Sequence, residues 1–262
     1  MWMIARYLPV VPLSLKPAAA TSSGGKTLLT MTPYAIKMAL LDVAIRTLGV
    51  AEGERLFPLL RDLSLSVALP EDILVFKGFS KSWRPVESKD SQKKDETREE
   101  FEARLREKLA DKIDRGQYPF YSTIAYREYV YYRDAFQLAL STPIDTALPE
   151  ELPRLLAGVN YFGKRGGFVQ LAAAPRVVEN LPDNPFIELT QDGLRTFRAD
   201  GVLQMLDDCG KTLTFQRANI YSQERLTIGK DRIIRHVVLP YRMVRSSRGY
   251  SWYRYSREGE EA

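Results

Sequence analysis

Cysteine and histidine are almost absent from this chain. Its 262 residues include one cysteine, Cys209, and one histidine, His236. A single cysteine cannot form an internal disulfide and favours a reducing compartment. One histidine without a Cys/His cluster excludes the usual zinc sites. A chain of this length can bury a sizeable core, so we expect it to fold without disulfides, metals or cofactors.

Long apolar runs are also missing. No stretch approaches the roughly 20 apolar residues of a membrane-spanning helix. The N-terminal stretch MWMIARYLPVVPLSL contains an arginine and two prolines, and it lacks the charged segment that opens a signal peptide. We therefore expect a soluble, cytoplasmic protein that has no membrane partner.

A nucleotide-hydrolysing loop is present only in part. Residues 20–27, ATSSGGKT, end like a Walker A motif, but Ala20 replaces its first glycine. The next predicted helix starts near Pro33, whereas a phosphate-binding Lys-Thr pair opens its helix. We predict a flexible small-residue loop and no ATP hydrolysis, with Lys26 as a candidate contact to a phosphate backbone.

Other catalytic groups lack partners. His236 lies among isoleucines and valines and has no nearby acid, which favours an ordinary strand histidine. Asp207 and Asp208 fall in the predicted turn DDCGK, where acids are common, and nothing marks Cys209 as a nucleophile. No G-x-S-x-G elbow is present. The sequence predicts no catalytic residue.

Positive charge is concentrated near the C-terminus. Between Arg217 and Arg257 there are ten Lys and Arg residues and two acids, an excess that exceeds the formal charge of +5 for the whole chain. Such asymmetry is typical of proteins with a polyanionic partner. The alternative is that these cations lie on solvated strand faces.

The pattern of elements predicts an α+β fold. Residues 32–49 form a helix in which Thr32 is the N-cap, Pro33 takes the first helical position and Gly49 ends the helix. A short helix ends at Gly158, and strands are predicted over 3–15, over 118–140 and through the C-terminal third. Strands and helices in mixed order indicate α+β.

Residues 81–115 differ in character from the rest. They contain eleven cations and ten acids, and their apolar residues recur every fourth position, at Phe101, Leu105, Leu109 and Ile113. This spacing predicts a charged amphipathic helix over 96–114. The stretch ESKDSQKKDE before it is predicted to be a mobile linker.

The segment YPFYSTIAYREYVYYRDAFQLAL carries the strongest strand signal. A period of two places Arg127, Tyr129, Tyr131 and Arg133 on one face. Single-stranded nucleic acid binds such faces through charges for phosphates and rings for bases. The alternative is that the tyrosines pack into the core.

The stretch NYFGKRGGFVQ, residues 160–170, connects a helix to a strand. Gly163, Gly166 and Gly167 allow positive φ and close backbone approach, and Lys164 and Arg165 supply charge. Three glycines around two cations favour contact with an anion over a plain turn.

Together, TPYAIKMALLDVA, TIAYREYVYY and NYFGKRGGFVQ resemble segments of the CRISPR-associated protein 5 family, subunits of type I Cascade effector complexes. The resemblance covers about the first two-thirds of the chain. It implies a ferredoxin-like (RRM-like) RAMP core over residues 1–262 and an inserted thumb over 77–117. The charge and strand patterns separately predict a basic, strand-rich C-terminal part over 200–262. The predicted helix departs from the β-hairpin thumb of that family.

The resemblance also implies a function in antiviral defence. Such subunits hold the 5′ handle of CRISPR RNA, contact the large subunit and the first backbone subunit, and meet target DNA only through the complex. By position, the resemblance implies RNA contacts on the glycine-rich stretch and the first helix: Gly163, Lys164, Arg165, Gly166, Gly167, Phe168 and Lys37. In the implied thumb, Trp83 and Arg84 are the candidate contacts, because a tryptophan can wedge against a base. The small-residue loop and the aromatic strand add the candidates found from the residues themselves: Lys26, Arg127, Tyr129, Tyr131 and Arg133.

Two alternatives remain open. One branch of the family cleaves precursor RNA without a metal by a Tyr/Lys/His arrangement, which needs a general base and a general acid. With one histidine in an apolar strand, we expect a non-catalytic binder. A generic RNA-binding protein outside CRISPR is the second alternative.

Overall fold

The computed structural model divides the chain into two compact units. The first combines Met1–Lys77 with Glu128–Ala262, and the second is Gly78–Arg127. The structure describes residues 1–18, 25–86, 90–182, 186–191, 201–219 and 221–256.

Helices and antiparallel strands alternate irregularly, which confirms the α+β class. The helices are α1 (Pro33–Leu48), α2 (Val50–Asp62), α3 (Arg98–Asp114), α4 (Leu152–Gly158) and α5 (Phe215–Ala218). The strands are β1 (Trp2–Pro9), β2 (Ser64–Ala68), β3 (Asp72–Pro85), β4 (Phe120–Tyr132), β5 (Phe136–Ser141), β6 (Val169–Val178), β7 (Ile187–Glu188), β8 (Val202–Cys209), β9 (Arg232–Leu239), β10 (Tyr241–Ser246) and β11 (Tyr250–Tyr255). In the part of the chain described, no helix combines the length and apolar character needed to cross a membrane.

A five-stranded antiparallel sheet forms the centre of the first unit. Its order is β6-β1-β5-β2-β7, with Ile4 of β1 opposite Ala139 of β5. The residues of β1 and β5 that face the helices are fully buried, as Tyr7 and Leu138 are. Helices α1 and α2 pack against each other, and α1 also contacts α4 and β8. This core fixes the start of β6 and the connection that precedes it.

Helix α1 forms as its local sequence predicts. The Thr32 hydroxyl accepts a hydrogen bond from the Ala35 N–H, and Pro33 occupies the first turn. At the other end the Gly49 N–H donates to the carbonyl of Ile45. Because most faces of the helix are apolar, it is buried on several sides. The helix predicted over 32–49 is confirmed.

The remaining strands form two further sheets. One is a four-stranded sheet with the order β10-β11-β3-β4, and the other is a two-stranded antiparallel sheet of β8 and β9. The sequence did not predict β8. Asp207 and Asp208 lie at its end rather than in a turn, and both are buried. The prediction of a turn context for these acids was therefore wrong.

The second unit combines α3 with the outer parts of β3 and β4. The predicted helix over 96–114 is confirmed as α3, and its capping box joins Thr97 to Glu100. In the described part of the predicted linker, Glu96 pairs with Arg104 at 2.7 Å. The unit overlaps the segment predicted as a thumb, and its role as a thumb stays a prediction.

Candidate nucleic-acid interface

Residues 160–170, called the glycine loop from here on, are anchored at both ends. The Val169 N–H donates to the Asn160 carbonyl at 2.9 Å, and Tyr161 bridges to Phe168. The buried Phe162 ring packs edge-on against Tyr7, with 5.3 Å between the ring centroids. The two ends of the glycine loop are therefore held in place where the loop connects α4 to β6.

The tip of the glycine loop displays two adjacent cations. Gly163 and Gly166 have φ of 70° and 106°, values that favour glycine, and the Gly167 N–H closes the turn on the Lys164 carbonyl at 3.2 Å. Lys164 and Arg165 are exposed, and neither pairs with an acid of the described residues. Their charges are directed to solvent, where an anion can reach them.

A pocket of about 360 Å³ lies beside this loop. Gly163 and Lys164 line one side, and Tyr34 from the first turn of α1 lines another. Lys16 and Arg232 add further cationic side chains. The pocket thus combines aromatic and apolar walls with positive charge next to the displayed cations.

Arg232 is held in place by two neighbours. Its guanidinium lies 4.4 Å from the centroid of the Tyr34 ring and 2.6 Å from Oδ2 of Asp207. The ion pair offsets the charge of Arg232, whereas Lys164 has no acidic partner among the described residues. Burial raises the pKa of Tyr34, and its hydroxyl therefore stays a hydrogen-bond donor at neutral pH.

Lys37 does not face the surface. Its ammonium group lies 2.7 Å from Oδ1 of Asp208, and its side chain is 3% exposed. Arg235 binds the other oxygen of Asp208 at 2.7 Å. The expectation that Lys37 meets RNA is corrected: this lysine neutralises a buried carboxylate.

Strand β4 places its aromatic residues on two sides. Val130 and Tyr132 are buried in the core, while Tyr131 is 46% exposed. Tyr129 stacks on Phe76 at 5.4 Å, with 21° between the ring planes. Arg133 is exposed just beyond the end of the strand. The tyrosines predicted to face outward are therefore outside the core, and their contact with RNA stays a prediction.

The remaining predicted residues lie in other places. Lys26 is exposed next to Thr27, whose N–H donates to Glu128 at 3.1 Å. In the second unit Trp83 is 62% exposed beneath the Lys81 ammonium, Arg84 is exposed, and Arg127 is half-buried. The structure joins only Gly163 and Lys164 of the predicted set in the pocket.

The cations between Arg217 and Arg257 are partly neutralised by acids. Arg217 pairs with Asp231 inside this stretch. Three further pairs join arginines of the stretch to acids that precede it in the chain: Arg232 with Asp207, Arg235 with Asp208, and Arg254 with Asp72. Sequence reasoning missed these pairs, and it also missed Lys16 and Tyr34 as neighbours of the glycine loop. They come from separate segments, so no local pattern joins them.

The groups with catalytic potential lie in ordinary surroundings. His236 lies on β9 opposite Met205 of β8. Its side chain is exposed, and its apolar neighbours in the sequence do not enclose it. Burial raises the pKa of the Cys209 thiol to about 12. Among the described residues there is no cluster of His, Cys, Asp and Glu that could hold a metal ion.

Fold and surface together define an α+β protein that presents a cationic glycine loop beside a partly aromatic pocket. No family model and no curated protein matches the sequence. Similar solved structures include a CRISPR protein from Archaeoglobus fulgidus, with a TM-score of 0.37, 8% identity and coverage of 98% of this chain and 92% of that one. Another is a CRISPR RNA-guided surveillance complex, with a TM-score of 0.41, 14% identity and coverage of 91% and 90%.

Proposed function

We propose that this protein is a non-catalytic, cytoplasmic RNA-binding subunit of a type I CRISPR effector complex, similar to the CRISPR-associated protein 5 family. In this proposal the core has a ferredoxin-like arrangement and holds the 5′ handle of CRISPR RNA. The observation that carries the proposal is the glycine loop, which displays Lys164 and Arg165 without an acidic partner among the described residues.

The chemistry of the glycine loop suits a phosphate backbone. An arginine can bind a phosphate through two N–H groups, and a lysine adds a compact charge. Both cations lie on a turn whose base is fixed by Phe162 and Val169. Little backbone order therefore has to be created when the RNA binds.

The adjacent pocket suits part of a nucleotide. Its volume of about 360 Å³ lies within the range of small-molecule sites. Tyr34 lines the pocket with an aromatic ring, and Lys164 lines it with a cation. RNA recognition commonly combines stacking of an unpaired base with backbone charge.

The non-catalytic role is inferred from the sequence, in which His236 is the one histidine that could serve as an acid or a base. Metal-free RNA cleavage needs a general base for the 2′-hydroxyl and an acid for the leaving oxygen. This histidine lies on β9 between Arg235 and Val237, opposite Met205 of β8. The same proposal includes contacts with a large subunit and with a backbone subunit.

Incubation of the purified chain with labelled CRISPR repeat RNA in EDTA tests both parts of the proposal. We expect a stable complex and intact RNA, and we expect Lys164→Ala with Arg165→Ala to weaken the complex. The matched control is Arg154→Ala with Lys211→Ala, which removes two exposed cations from other surfaces. Site-specific cleavage that His236→Ala abolishes would contradict the non-catalytic role. Equal affinity of both double variants would contradict binding by the glycine loop.

A further inference from the structure

The four-stranded sheet has one face directed to the core and one directed away from it. Ile73, Val75 and Val130 lie on the inner face and are buried. The next residues along the same strands, such as Leu74, Phe76 and Tyr131, are half-buried or exposed. We call their side the outer face, and the alternation follows from the period of two.

Strand register extends this outer face to the C-terminal hairpin. Tyr250 of β11 lies opposite Phe76 of β3, and Trp252 lies opposite Leu74. On the next strand Arg245 of β10 lies opposite Trp252. The aromatic strand near the middle of the sequence and the basic C-terminal segment therefore share one surface.

Aromatic rings form the centre of the outer face. Phe76 and Tyr129 lie nearly parallel at 5.4 Å, and Tyr131 follows Tyr129 on the same side of β4. On β11 the Arg254 guanidinium lies 4.8 Å from the centroid of the Trp252 ring. Rings and guanidinium planes are both surfaces on which unpaired bases stack.

Positive charge surrounds these rings. Arg242 and Arg245 come from β10, Arg254 from β11, and Arg133 lies where β4 ends. Among the residues of β3, β10 and β11 for which the structure describes strand pairing, Asp72 is the one acid on the outer face. The hydrogen bond from Arg254 lowers the pKa of Asp72, and the Trp252 N–H and the charge of Arg133 add to this effect. The acid is thus already engaged, and Arg245 has no acidic partner in the described chain.

We propose that the outer face of the four-stranded sheet is a second nucleic-acid surface, on which unpaired bases of a single strand stack against Tyr131, Phe76 and Trp252 while Arg245 binds a phosphate. The occupant is a polyanion because the face carries cations in excess and flat rings between them. It is single-stranded because stacking requires exposed base planes. This proposal rests on the proposed function and adds a surface to it that does not include the glycine loop.

Binding of labelled oligouridine and oligodeoxythymidine of about 15 nucleotides to the full chain tests the proposal, since a single-strand site covers about 4–16 nucleotides. Tyr131→Leu removes an exposed ring, and we expect affinity to fall about fivefold or more because stacking is lost. Tyr131→Phe keeps the ring and should bind like the original chain. Arg245→Ala should lower the slope of log affinity against log salt by about 0.7.

Two variants provide matched controls. Met243→Ala changes an exposed residue of β10 on the opposite face, and Arg154→Ala removes an exposed cation from α4. The proposal is supported if Tyr131→Leu and Arg245→Ala bind either oligonucleotide more weakly while both controls bind it normally. The oligonucleotide whose binding is weakened shows whether the surface binds RNA or DNA. Unchanged binding of both strands would overturn it and would favour a protein partner for this face.

Failure of this proposal and failure of the proposed function are distinguishable. If the glycine-loop double variant binds repeat RNA normally while Tyr131→Leu weakens binding, the loop proposal fails and the outer face stands. If the glycine-loop double variant weakens binding while Tyr131→Leu binds normally, the outer-face proposal fails and the loop proposal stands.

Discussion

The ammonium group of Lys37 lies 2.7 Å from Oδ1 of Asp208, with side chains that are 3% and 1% exposed. Arg235 holds the second carboxylate oxygen, and the Cys209 N–H donates to Oδ1 at 2.7 Å. A carboxylate enclosed in this way depends on its partners, because an unpaired buried charge is costly. This ion-pair cluster connects α1 to the two-stranded sheet of β8 and β9.

Lys37→Ala should therefore destabilise the fold by about 3–5 kcal/mol, because it leaves a buried carboxylate with one partner fewer. Urea unfolding monitored by circular dichroism measures this change. Arg46→Ala is the control, since Arg46 pairs with Asp42 on the exposed side of the same helix and should cost less than about 1 kcal/mol. Similar small losses for both variants would refute a structural role for the cluster.

Gly166→Ala should weaken both the glycine loop and its RNA binding. Gly166 has φ of 106°, and a side chain there costs about 1–2 kcal/mol even though no heavy atom lies within 4 Å of the added Cβ. Thermal unfolding and RNA affinity are the measurements. Gly249→Ala, which also meets no atom within 4 Å but lacks a positive φ, should leave stability nearly unchanged. Equal effects of the two substitutions would contradict the backbone explanation.

The Cys209 thiol should react slowly in the folded protein. Burial raises its pKa to about 12, so almost none is thiolate at pH 8. Because the raised pKa stabilises the fold below the ordinary thiol pKa near 9, this contribution should fall as pH rises from about 9 to 12. Thiol-reagent kinetics with and without denaturant provide the measurement. Rapid labelling of the native chain at pH 8 would show that the thiol is accessible.

Glu96 should titrate far below an ordinary glutamate. The hydrogen bond from Arg104, helped by the Lys93 N–H, lowers the Glu96 pKa to about 2. The stabilising contribution is therefore present above pH 4.5 and is lost as pH falls toward 2. An NMR titration measures the midpoint. Arg104→Ala should raise it, while Arg98→Ala, which removes the partner of Glu102, should not. A normal midpoint in the original chain would refute the pairing.

Elements set by neighbouring residues were predictable from the sequence. Thr32, Pro33 and Gly49 mark the ends of α1, and the fourfold apolar spacing marks α3, because helix signals act over a few residues. Strand β8 was missed, since its two acids resemble a turn until Arg232 and Lys37 are placed beside them. Pairing across the chain overrides local preference.

In the candidate site, the features formed by consecutive residues were predictable from the sequence, and the contacts between distant segments were not. The glycines and cations of the glycine loop are consecutive, so its turn and its exposed charges followed from the sequence. Its neighbours Lys16 and Tyr34 come from distant segments. The outer face likewise required the register that places Trp252 opposite Leu74. Such surfaces become visible only when the sheet topology is known.

The salt dependence of repeat-RNA binding tests the central claim most directly. If Lys164 and Arg165 each bind a phosphate, their double alanine variant should bind more weakly and lower the slope of log affinity against log salt by about 1.4, at about 0.7 per contact. The variant Arg154→Ala with Lys211→Ala removes the same formal charge and should keep the original slope. Identical slopes for the original chain and the Lys164/Arg165 variant would contradict phosphate contact by the glycine loop.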